Sequence, residues 1–542
     1  MGPARAAVAV PSWPARDAAH LLVRSAQMAD LEEALFASGL PVEALMEKAA
    51  LQISQRLLGQ PDRLERGVLV LVGPGHNGGD GLVVARELHL AGVRVQLWSP
   101  FEQRKPLTEA HWRHAHWLGV EQCAGSPDPA DPRLWIDALF GTGQRRPPGA
   151  VIERLLATRQ SQRPGRLVAI DVPTGLCADS GQLLGEVAAC ASHTYVLGLL
   201  KQGLVQDAAL AWVGELERLD LGLPPAQLAG LPVDQPLGLA AADLASTPWP
   251  IPDPRAGKYG RGRLLVVAGS NAYRGAALLS LLGAGASGCG SLRGALPIAV
   301  AEELWAVQPD VVVHRALASG AQGGLCLAAL GEAGALDRLD AVLLGPGIGA
   351  GHGADGTDQT LAWRALQYFS GLLVLDADGL NRVAAGETGT RSDAWLRGRQ
   401  GATWLTPHAG EFARLFPDLA SQQPLAAAAS AAARCSVSVL LKGARSVVAA
   451  ADGRRWQLLE AAAPAARAGL GDVLAGYAAG RGAAAAAAQT CSPADGALLA
   501  AAALDHAQAG LQCCRILGAA AASPQAIASQ LARRESKLPK RC

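Results

Sequence analysis

The strongest constraint on the fold of this chain is a series of short apolar runs, each followed by glycine or polar residues and then by a longer helical stretch. Apolar runs of about four to eight residues that are bounded by turn residues and alternate with helices are typical of α/β proteins. We therefore predict an α/β fold with mainly parallel sheets in both halves of the chain. In sequence order the runs are GVLVLVG, RVQLW, LWIDALF, RLVAIDV and HTYVLG, then RLLVVAG, AVLLG, LLVLDA, ATWLT and VSVLL.

Chain length and a proline cluster predict two domains. At 542 residues the chain is too long for one compact core, because domains usually contain about 100 to 200 residues. Eight prolines fall between Leu221 and Gly262, where apolar periodicity is weak, and this indicates a linker. We predict an N-terminal tail over residues 1–18, a first domain over 19–228, a proline-rich linker and entry over 229–257, a second domain over 258–530 and a C-terminal tail over 531–542.

The overall charge indicates small-molecule partners. There are 48 basic and 47 acidic residues, a net charge of +1, and no basic block of the kind that binds nucleic acid or an anionic membrane. No stretch approaches the roughly 20 apolar residues that span a membrane. The ten cysteines show no CxxC pair or zinc spacing, which suits a reducing compartment. We therefore expect a cytoplasmic protein with neither nucleic-acid nor membrane partners.

The first turn after a predicted strand is GPGHNGGDGL, which raises the question of dinucleotide binding. Gly73, Gly75 and Gly78 occupy the three glycine positions of the dinucleotide-binding fingerprint. That fingerprint also requires an acidic residue at the end of the next strand, but RVQLW runs into SPF instead. Asn77 and Asp80 lie inside the turn, where a pyrophosphate loop normally offers only backbone amides. We predict that this turn uses its side chains.

Two more strand ends in the first half carry acidic residues. Asp137 is followed by FGTGQRR, and Asp171 ends a strand before VPTG. Each aspartate alone would be read as a turn or helix-cap residue, but strand ends of a parallel sheet converge, which favours a site. Asn77, Asp137 and Thr174 would offer oxygen ligands to a cation, and residues 141–143 are predicted to open a helix that holds phosphate. Asp171, partly desolvated, would be a general base.

The second half repeats this arrangement with different side chains. AGLGDVLAG places Gly469 and Gly471 before a helix with Asp472 in its first turn, which suits phosphoryl transfer with Asp472 accepting the proton of an attacking hydroxyl. The alternative is that Asp472 only stabilises the helix start. Further residues that close apolar runs are Gly345, Gly347, Gly349, Asp376, Asp378, Asn381, His408, Glu411, Lys442 and Gly443.

These motifs resemble, in order and over nearly the whole chain, the bifunctional NAD(P)H-hydrate repair family, in which an epimerase domain precedes a nucleotide-dependent dehydratase domain. The first-half motifs are SAQMADLEEALFASGLPVEALMEKAA, GPGHNGGDGLVVAREL, DALFGTG, AIDVPTGL and GLLKQGL. The second-half motifs are GKYGRGRLLVVAGSNAYRGAALLSLLGAGASGCG, LLGPGIG, LDADGLN, TPHAGEFARL, LKGA and GDVLAG. The resemblance implies a Rossmann-like three-layer domain followed by a ribokinase-like α/β domain.

The resemblance also implies site residues. In the first domain the hydrated dinucleotide would contact His76, Asn77, Gly78, Gly79, Asp80, Gly141, Thr142, Gly143, Gln144, Arg145, Arg146, Pro147 and Asp171. Potassium would be held by Asn77, Asp137 and Thr174. In the second domain the hydrate would face Ala276, Gly347, His408 and Asp472, and ADP or ATP with Mg²⁺ would face Lys442, Gly443, Ala444, Arg445, Ser446 and Gly471.

The activities implied are an isomerase and a lyase. The first domain would interconvert R and S hydrates of NADH and NADPH, by ring opening or proton transfer at catalytic Asp171. The second would phosphorylate the hydrate hydroxyl at catalytic Asp472, so that elimination restores NAD(P)H. Related domains imply a homo-oligomer. The alternatives are a ribokinase-like kinase for a vitamin alcohol with a non-catalytic Rossmann-like binding module, and a first domain that serves only as a scaffold.

The chain departs from the family pattern in two places. His76 stands where the family usually has asparagine, which is expected to alter substrate contacts without removing the cation ligand. Residues 467–472 read Arg-Ala-Gly-Leu-Gly-Asp in place of Thr-Gly-Gly-Ser/Thr-Gly-Asp. The second departure removes two hydroxyls and one glycine from the anion loop, and it is expected to weaken nucleotide binding or turnover.

Overall fold

A computed structural model of the chain describes residues 13–251, 253–320, 323–351, 356–488 and 492–535. The chain forms two compact units, one over Ala15–Gly238 and one that begins at Leu239. The division falls inside the stretch predicted as linker, residues 229–257. No helix within the described ranges is long and apolar enough to cross a membrane.

The first unit is built on a seven-stranded parallel sheet in the order β4-β3-β2-β5-β6-β7-β9, and a two-stranded parallel ribbon joins β1 to β8. Its strands are β1 (Leu22–Val23), β2 (Val68–Val72), β3 (Val95–Trp98), β4 (Glu121–Gln122), β5 (Leu134–Ala138), β6 (Leu167–Ile170), β7 (His193–Leu197), β8 (Leu200–Lys201) and β9 (Glu215–Leu219). Its helices are α1 (Ser25–Ala37), α2 (Val42–Leu58), α3 (Pro61–Leu64), α4 (His76–Leu90), α5 (Pro106–Trp117), α6 (Ala150–Gln162), α7 (Leu210–Val213) and α8 (Pro225–Ala229).

The central strands of this sheet are buried on both faces. Every residue of β2, β5 and β6 is buried, as expected for the near-continuous apolar runs of a covered parallel sheet. Side chains of α2, α4 and α5 pack on one face, and side chains of α6 pack on the other. The sheet therefore presents the carboxyl ends of β2, β5 and β6 side by side.

The second unit is built on a ten-stranded sheet in the order β10-β19-β18-β17-β16-β15-β14-β11-β12-β13, parallel from β17 to β13 and antiparallel between β17, β18 and β19. Its strands are β10 (Leu237–Leu239), β11 (Arg263–Val267), β12 (Ser291–Pro297), β13 (Val312–Leu317), β14 (Ala341–Leu344), β15 (Leu372–Leu375), β16 (Thr403–Leu405), β17 (Ser438–Leu441), β18 (Val447–Ala449) and β19 (Arg455–Leu458). Its helices are α9 (Arg274–Ala286), α10 (Ile298–Val307), α11 (Gly356–Tyr368), α12 (Ala377–Ala384), α13 (Ser392–Arg397), α14 (Ala409–Leu415), α15 (Pro424–Cys435), α16 (Leu470–Ala488), α17 (Gly496–Leu517) and α18 (Pro524–Glu535).

The predicted α/β class is confirmed, and each of the ten apolar runs contains a strand. One local prediction is wrong, because residues 141–143 do not open a helix. The chain stays irregular until α6 begins at Ala150. Pro147 and Pro148 explain the delay, since a proline disfavours helical geometry in the residue before it.

Candidate active sites

The turn between β2 and α4 is packed so closely that glycine is required in it. A Cβ on Gly73 would lie 1.6 Å from the Leu139 carbonyl oxygen, and one on Gly78 would lie 2.1 Å from the Gly73 carbonyl oxygen. Helix α4 begins at His76 and therefore carries Asn77 in its first turn. The glycines of GPGHNGGDGL bring Asn77 to the edge of the sheet.

Asp137 and Thr174 form one hydrogen-bonded unit at the ends of β5 and β6. The Asp137 side chain is fully buried, and it accepts the Thr174 hydroxyl at 2.8 Å on Oδ1 and the Thr174 amide at 2.8 Å on Oδ2. Leu139 donates a third hydrogen bond to Oδ1 at 3.2 Å. Burial raises the pKa of Asp137 to about 6, and these hydrogen bonds offset only part of that rise. A cation beside this carboxylate would favour its charged form.

Gly141 lies between Asn77 and Asp171. A Cβ at this position would lie 2.9 Å from Asp171 Oδ2 and 3.3 Å from Asn77 Oδ1. The next amide, that of Thr142, donates to Asp171 Oδ2 at 3.1 Å. The Asn77 Nδ2 atom is buried with no hydrogen-bond partner among the described residues. Three predicted site residues from three different strand ends are therefore brought together.

The loop after Gly141 is fixed at its base and open at its tip. Gln144 is buried, and its side-chain amide donates to the Pro173 carbonyl at 3.1 Å and accepts the Gly175 amide at 2.8 Å. By contrast, the side chains of Arg145, Arg146 and Pro147 are exposed. The Arg145 guanidinium donates to the Thr142 carbonyl at 3.2 Å, so this arginine is exposed but tied to its own loop.

Lys201 is a site residue that the sequence reasoning missed. Its ammonium donates to Asp171 Oδ1 at 2.6 Å and to the Leu197 carbonyl at 2.6 Å, and its side chain is only 1% exposed. Asp171 itself has φ +66°, a left-handed conformation that a non-glycine residue adopts at a cost in free energy. The one available signal in the sequence is a lysine directly after two leucines in GLLKQGL.

Two further carboxyl groups interact electrostatically with this pair. Burial, with added repulsion from Asp171 and Glu32, raises the pKa of Asp80 well above its ordinary value. Burial also raises the pKa of Glu32 on α1 to about 7, and Lys201 only partly offsets that rise. His76, at the start of α4, has a pKa lowered by burial and by Lys105. Sequence reasoning did not single out Glu32.

In the second unit, Lys442 joins three strand ends. Its ammonium donates to Asp376 Oδ1 at 2.7 Å, and the Thr406 hydroxyl donates to the same oxygen at 2.8 Å. Asp376 is 1% exposed and immediately precedes α12. The backbone of Lys442 bridges that of His408 in parallel. A residue predicted to face nucleotide thus lies beside one predicted to face the hydrate.

Asp472 shares this cluster of charges. Burial raises the pKa of Asp472 to about 7, with Asp376 raising it further and Lys442 opposing the rise. Burial alone would lower the pKa of Lys442, but the carboxylates of Asp376 and Glu411 outweigh it and the pKa is raised. A Cβ on Gly471 would lie 3.3 Å from Lys442 Nζ. The helix α16 begins at Leu470, so Gly471 lies in its first turn and not before it.

Two of the predicted hydrate residues of the second unit, Ala276 and Gly347, meet at a glycine-rich loop. Gly347 has φ +62°, and a Cβ there would lie 2.7 Å from the Ala276 Cβ. Two hydrogen bonds hold the end of this loop, from the Gly349 amide to Asp378 Oδ2 at 2.8 Å and from Arg382 Nε to the Gly349 carbonyl at 2.8 Å. His408 lies further along the edge, where its ring accepts the Gly410 amide at 2.9 Å and caps α14.

The predicted nucleotide loop is held by a side-chain hydrogen bond within it and by hydrogen bonds from neighbouring segments. Ser446 Oγ lies 3.3 Å from the Gly443 amide, and the Ala444 carbonyl accepts the Ala462 amide at 2.9 Å. The Arg445 side chain is buried. Outside this loop, Arg467, the first residue of the altered anion loop, directs its guanidinium to the carbonyls of Ala519 and Ala520. The side chain that replaces the usual threonine therefore binds backbone of its own unit.

Two family models match the chain in tandem. The model described as YjeF-related protein N-terminus matches residues 42–203, and the model described as NAD(P)H-hydrate dehydratase matches residues 264–533. The order agrees with the two units.

Relatives match most of the chain. A bifunctional NAD(P)H-hydrate repair enzyme Nnr from Synechocystis sp. is 42% identical over 84% of this chain and 84% of its own length. One from Gloeobacter violaceus is 43% identical over 84% of this chain and 87% of its own length. A solved structure of ADP/ATP-dependent NAD(P)H-hydrate dehydratase from Bacillus subtilis, co-crystallized with ATP/Mg²⁺, is 22% identical over 55% of this chain and 96% of that chain, with a TM-score of 0.42. On the identity and coverage of the full-length relatives, this chain belongs to the bifunctional NAD(P)H-hydrate repair enzyme family.

Proposed function

We propose that this protein repairs hydrated NADH and NADPH in two steps, epimerisation of the R and S hydrates in the first unit and nucleotide-dependent dehydration of the S hydrate in the second. The observation that carries the proposal is the presence of a separate acid–base group at each sheet edge. Asp171 is paired with Lys201 in the first unit, and Asp472 faces Lys442 in the second.

The first site is suited to proton transfer on a bound dinucleotide. The loop from Gly141 to Pro147 offers backbone amides and two exposed arginines to phosphates, and the left-handed backbone of Asp171 fixes its carboxylate beside Gly141. In the hydrate, the carbon that carries the hydroxyl is bonded to the ring nitrogen. Removal of the hydroxyl proton breaks this carbon–nitrogen bond and forms a carbonyl, and the nitrogen can then attack the other face of that carbonyl. Asp171 would accept that proton.

The residues at this edge fit a potassium ion. Asn77, Asp137 and Thr174 supply oxygen atoms only, the chemistry that alkali and alkaline-earth cations prefer. Asp137 is a fully buried carboxylate without an ion-pair partner among the described residues. A bound cation would neutralise Asp137 and fix the turn that carries Asn77.

The second site is suited to phosphoryl transfer. Asp472 would accept the proton of the hydrate hydroxyl as that oxygen attacks the terminal phosphorus of ADP or ATP, and the amides at the start of α16 would stabilise charge on the moving group. Lys442 would hold Asp376 and the loop that follows it in place. Mg²⁺ carried with the nucleotide would offset the phosphate charge. Elimination of the phosphorylated hydroxyl then restores the reduced nicotinamide.

Two variants test whether each unit carries one of the two activities. Asp171→Asn should abolish R–S interconversion and leave S-hydrate dehydration intact, and Asp472→Asn should do the reverse. Equal loss of both activities in each folded variant would contradict the proposal.

The kinase alternative predicts a stable phosphorylated product, which phosphorus NMR of the reaction mixture would detect. The curated relatives are named repair enzymes, so that alternative is not favoured.

A homo-oligomer is part of the same proposal. Strand β13 ends the ten-stranded sheet of the second unit, and its Val312 is 60% exposed. Trp305 on the neighbouring helix α10 is 74% exposed. An exposed edge beside exposed apolar side chains favours association with another chain. Light scattering should give a mass above that of one chain, and Trp305→Glu should reduce it; a monomeric wild-type protein would contradict this part.

A further inference from the structure

We propose that Glu32 is the second proton-transfer group of the first site. It gives a proton to the hydrate in the step in which Asp171 removes one. The inference deepens the proposed epimerisation and rests on it. It assigns a catalytic role to α1, a helix that carries none of the residues predicted from the sequence.

The two-stranded ribbon brings α1 to the site. Val23 of β1 pairs with Lys201 of β8, so the chain that leads into α1 runs directly beside the lysine that holds Asp171. Ser25, the first residue of α1, donates its amide and its hydroxyl to Asp179 at 2.6 and 2.7 Å. The start of the helix is therefore fixed within a few residues of the active-site lysine.

The face of α1 that carries Glu32 packs against the segment between β7 and β8. Met28 is buried, and a Cβ on Gly198, between β7 and β8, would lie 2.6 Å from its terminal carbon. Glu32 follows Met28 by four residues and so shares its face of the helix. Its carboxylate is half-buried, and Lys201 and Asp171 both act on it electrostatically.

Glu32 thus belongs to a cluster of three carboxylates and one ammonium. Asp171 and Lys201 neutralise each other at 2.6 Å. Asp80, 7% exposed on α4, has a pKa raised well above its ordinary value by burial and by repulsion from Asp171 and Glu32. Glu32 is the more exposed of the two unpaired acids, and burial raises its pKa to about 7. Near neutral pH Glu32 can therefore both give and take a proton.

Epimerisation by ring opening requires two such groups. As the ring opens, the hydroxyl proton moves to the Asp171 carboxylate and the carbon–oxygen bond becomes a carbonyl. The electron pair of the breaking carbon–nitrogen bond goes to the ring nitrogen, which takes a proton from the Glu32 carboxylic acid. After rotation about the adjacent carbon–carbon bond, the nitrogen attacks the other carbonyl face. Glu32 then recovers its proton from nitrogen, and Asp171 returns its own to oxygen.

The test compares Glu32→Gln with Glu32→Asp and with Glu33→Gln, an exposed carboxylate on the same helix. The full-length protein is given purified R hydrate without nucleotide, and the appearance of S hydrate is followed from pH 5.5 to 9. Wild-type turnover should fall as pH rises above about 7, because the acid must be protonated. Glu32→Gln should lose about 100-fold in kcat with little change in KM, and it should lose that alkaline decline.

The outcomes separate the role of Glu32 from the proposed epimerisation itself. Glu33→Gln should match the wild type, and Glu32→Asp should be slower but keep the alkaline decline. Wild-type kinetics in Glu32→Gln, or a raised KM with unchanged kcat, would overturn the role of Glu32. Absence of epimerisation in the wild type would instead overturn the proposed function. Glu32→Gln should fold at least as well as the wild type above pH 7, because burial opposes ionisation of Glu32.

Discussion

The ammonium of Lys201 lies 2.6 Å from Oδ1 of Asp171, and the two side chains are 1% and 10% exposed. The lysine comes from β8 and the aspartate from the end of β6, 30 residues earlier in the chain. A carboxylate held at this depth depends on its partner for charge balance, because an unpaired buried charge is strongly unfavourable. The pair therefore couples the stability of the first unit to its chemistry.

Removing Lys201 should destabilise the protein as well as inactivate the first site. Lys201→Met leaves the Asp171 charge buried without its partner, and we expect the free energy of unfolding to fall by about 3–5 kcal/mol. Urea unfolding and R–S interconversion measure the two effects. Adding Asp171→Asn to Lys201→Met should recover part of the lost stability but none of the activity. Unchanged unfolding in Lys201→Met would contradict a buried ion pair.

Potassium should stabilise the first unit through Asp137. A ligand that binds only the folded state at 100 times its Kd adds about 2.7 kcal/mol to the free energy of unfolding. Melting temperatures in KCl and in tetramethylammonium chloride should therefore differ for the wild type and not for Asp137→Asn. Asp128→Ala, an exposed aspartate of the same unit, is the matched control. An equal rise in melting temperature with potassium in Asp137→Asn would show that Asp137 is not a ligand of the cation.

Gly347 should be intolerant of a side chain. Alanine at this position would combine a φ of +62° with contacts of 2.7 Å to Ala276 and 2.8 Å to Tyr273, so we expect a loss of about 1–3 kcal/mol in the free energy of unfolding. The KM for S hydrate should rise about tenfold, which corresponds to about 1.4 kcal/mol. Gly275→Ala, where a Cβ meets nothing within 4 Å, should leave both quantities nearly unchanged.

Dehydration should depend on pH through Asp472. Its pKa is raised from 3.8 to about 7, mainly by burial and next by Asp376, and a base acts only when ionised. The rate at saturating nucleotide should therefore rise with pH through about 7 and then level. Initial rates between pH 5.5 and 9 would show this. A flat profile, or a profile that falls with pH, would argue against Asp472 as the base.

The sequence predicted the sheets better than it predicted their edges or the contacts between strand ends. The buried strands β2, β14 and β15 are apolar throughout, and β5 is apolar except for Asp137, so these strands are predictable from the sequence. Strand β12, SLRGALP, was missed because it lies near the sheet edge and alternates arginine and glycine with apolar residues. The helix predicted at residues 141–143 is absent because Pro147 and Pro148 delay the helix start to Ala150.

The candidate sites were found in part because strand ends of a parallel sheet converge, a rule that applies without knowing the contacts. It pointed to Asp137 and Asp171, whereas Asp472 is predicted from the glycines at the start of its helix. It could not identify Lys201 or Glu32, because their roles depend on pairing across the fold and on burial. The ribbon between β1 and β8 is only two residues long, and so short a pairing has no pattern in the sequence.

The most direct test of two-step repair by this chain uses purified R hydrate as the only hydrate, with Mg²⁺, K⁺ and either ADP or ATP. Recovery of the absorbance of reduced nicotinamide requires both sites, because the R hydrate must first become S. We expect full recovery by the wild type, none by Asp472→Asn, and recovery by Asp171→Asn no faster than spontaneous epimerisation allows. No recovery from either R or S hydrate with either nucleotide would contradict two-step repair.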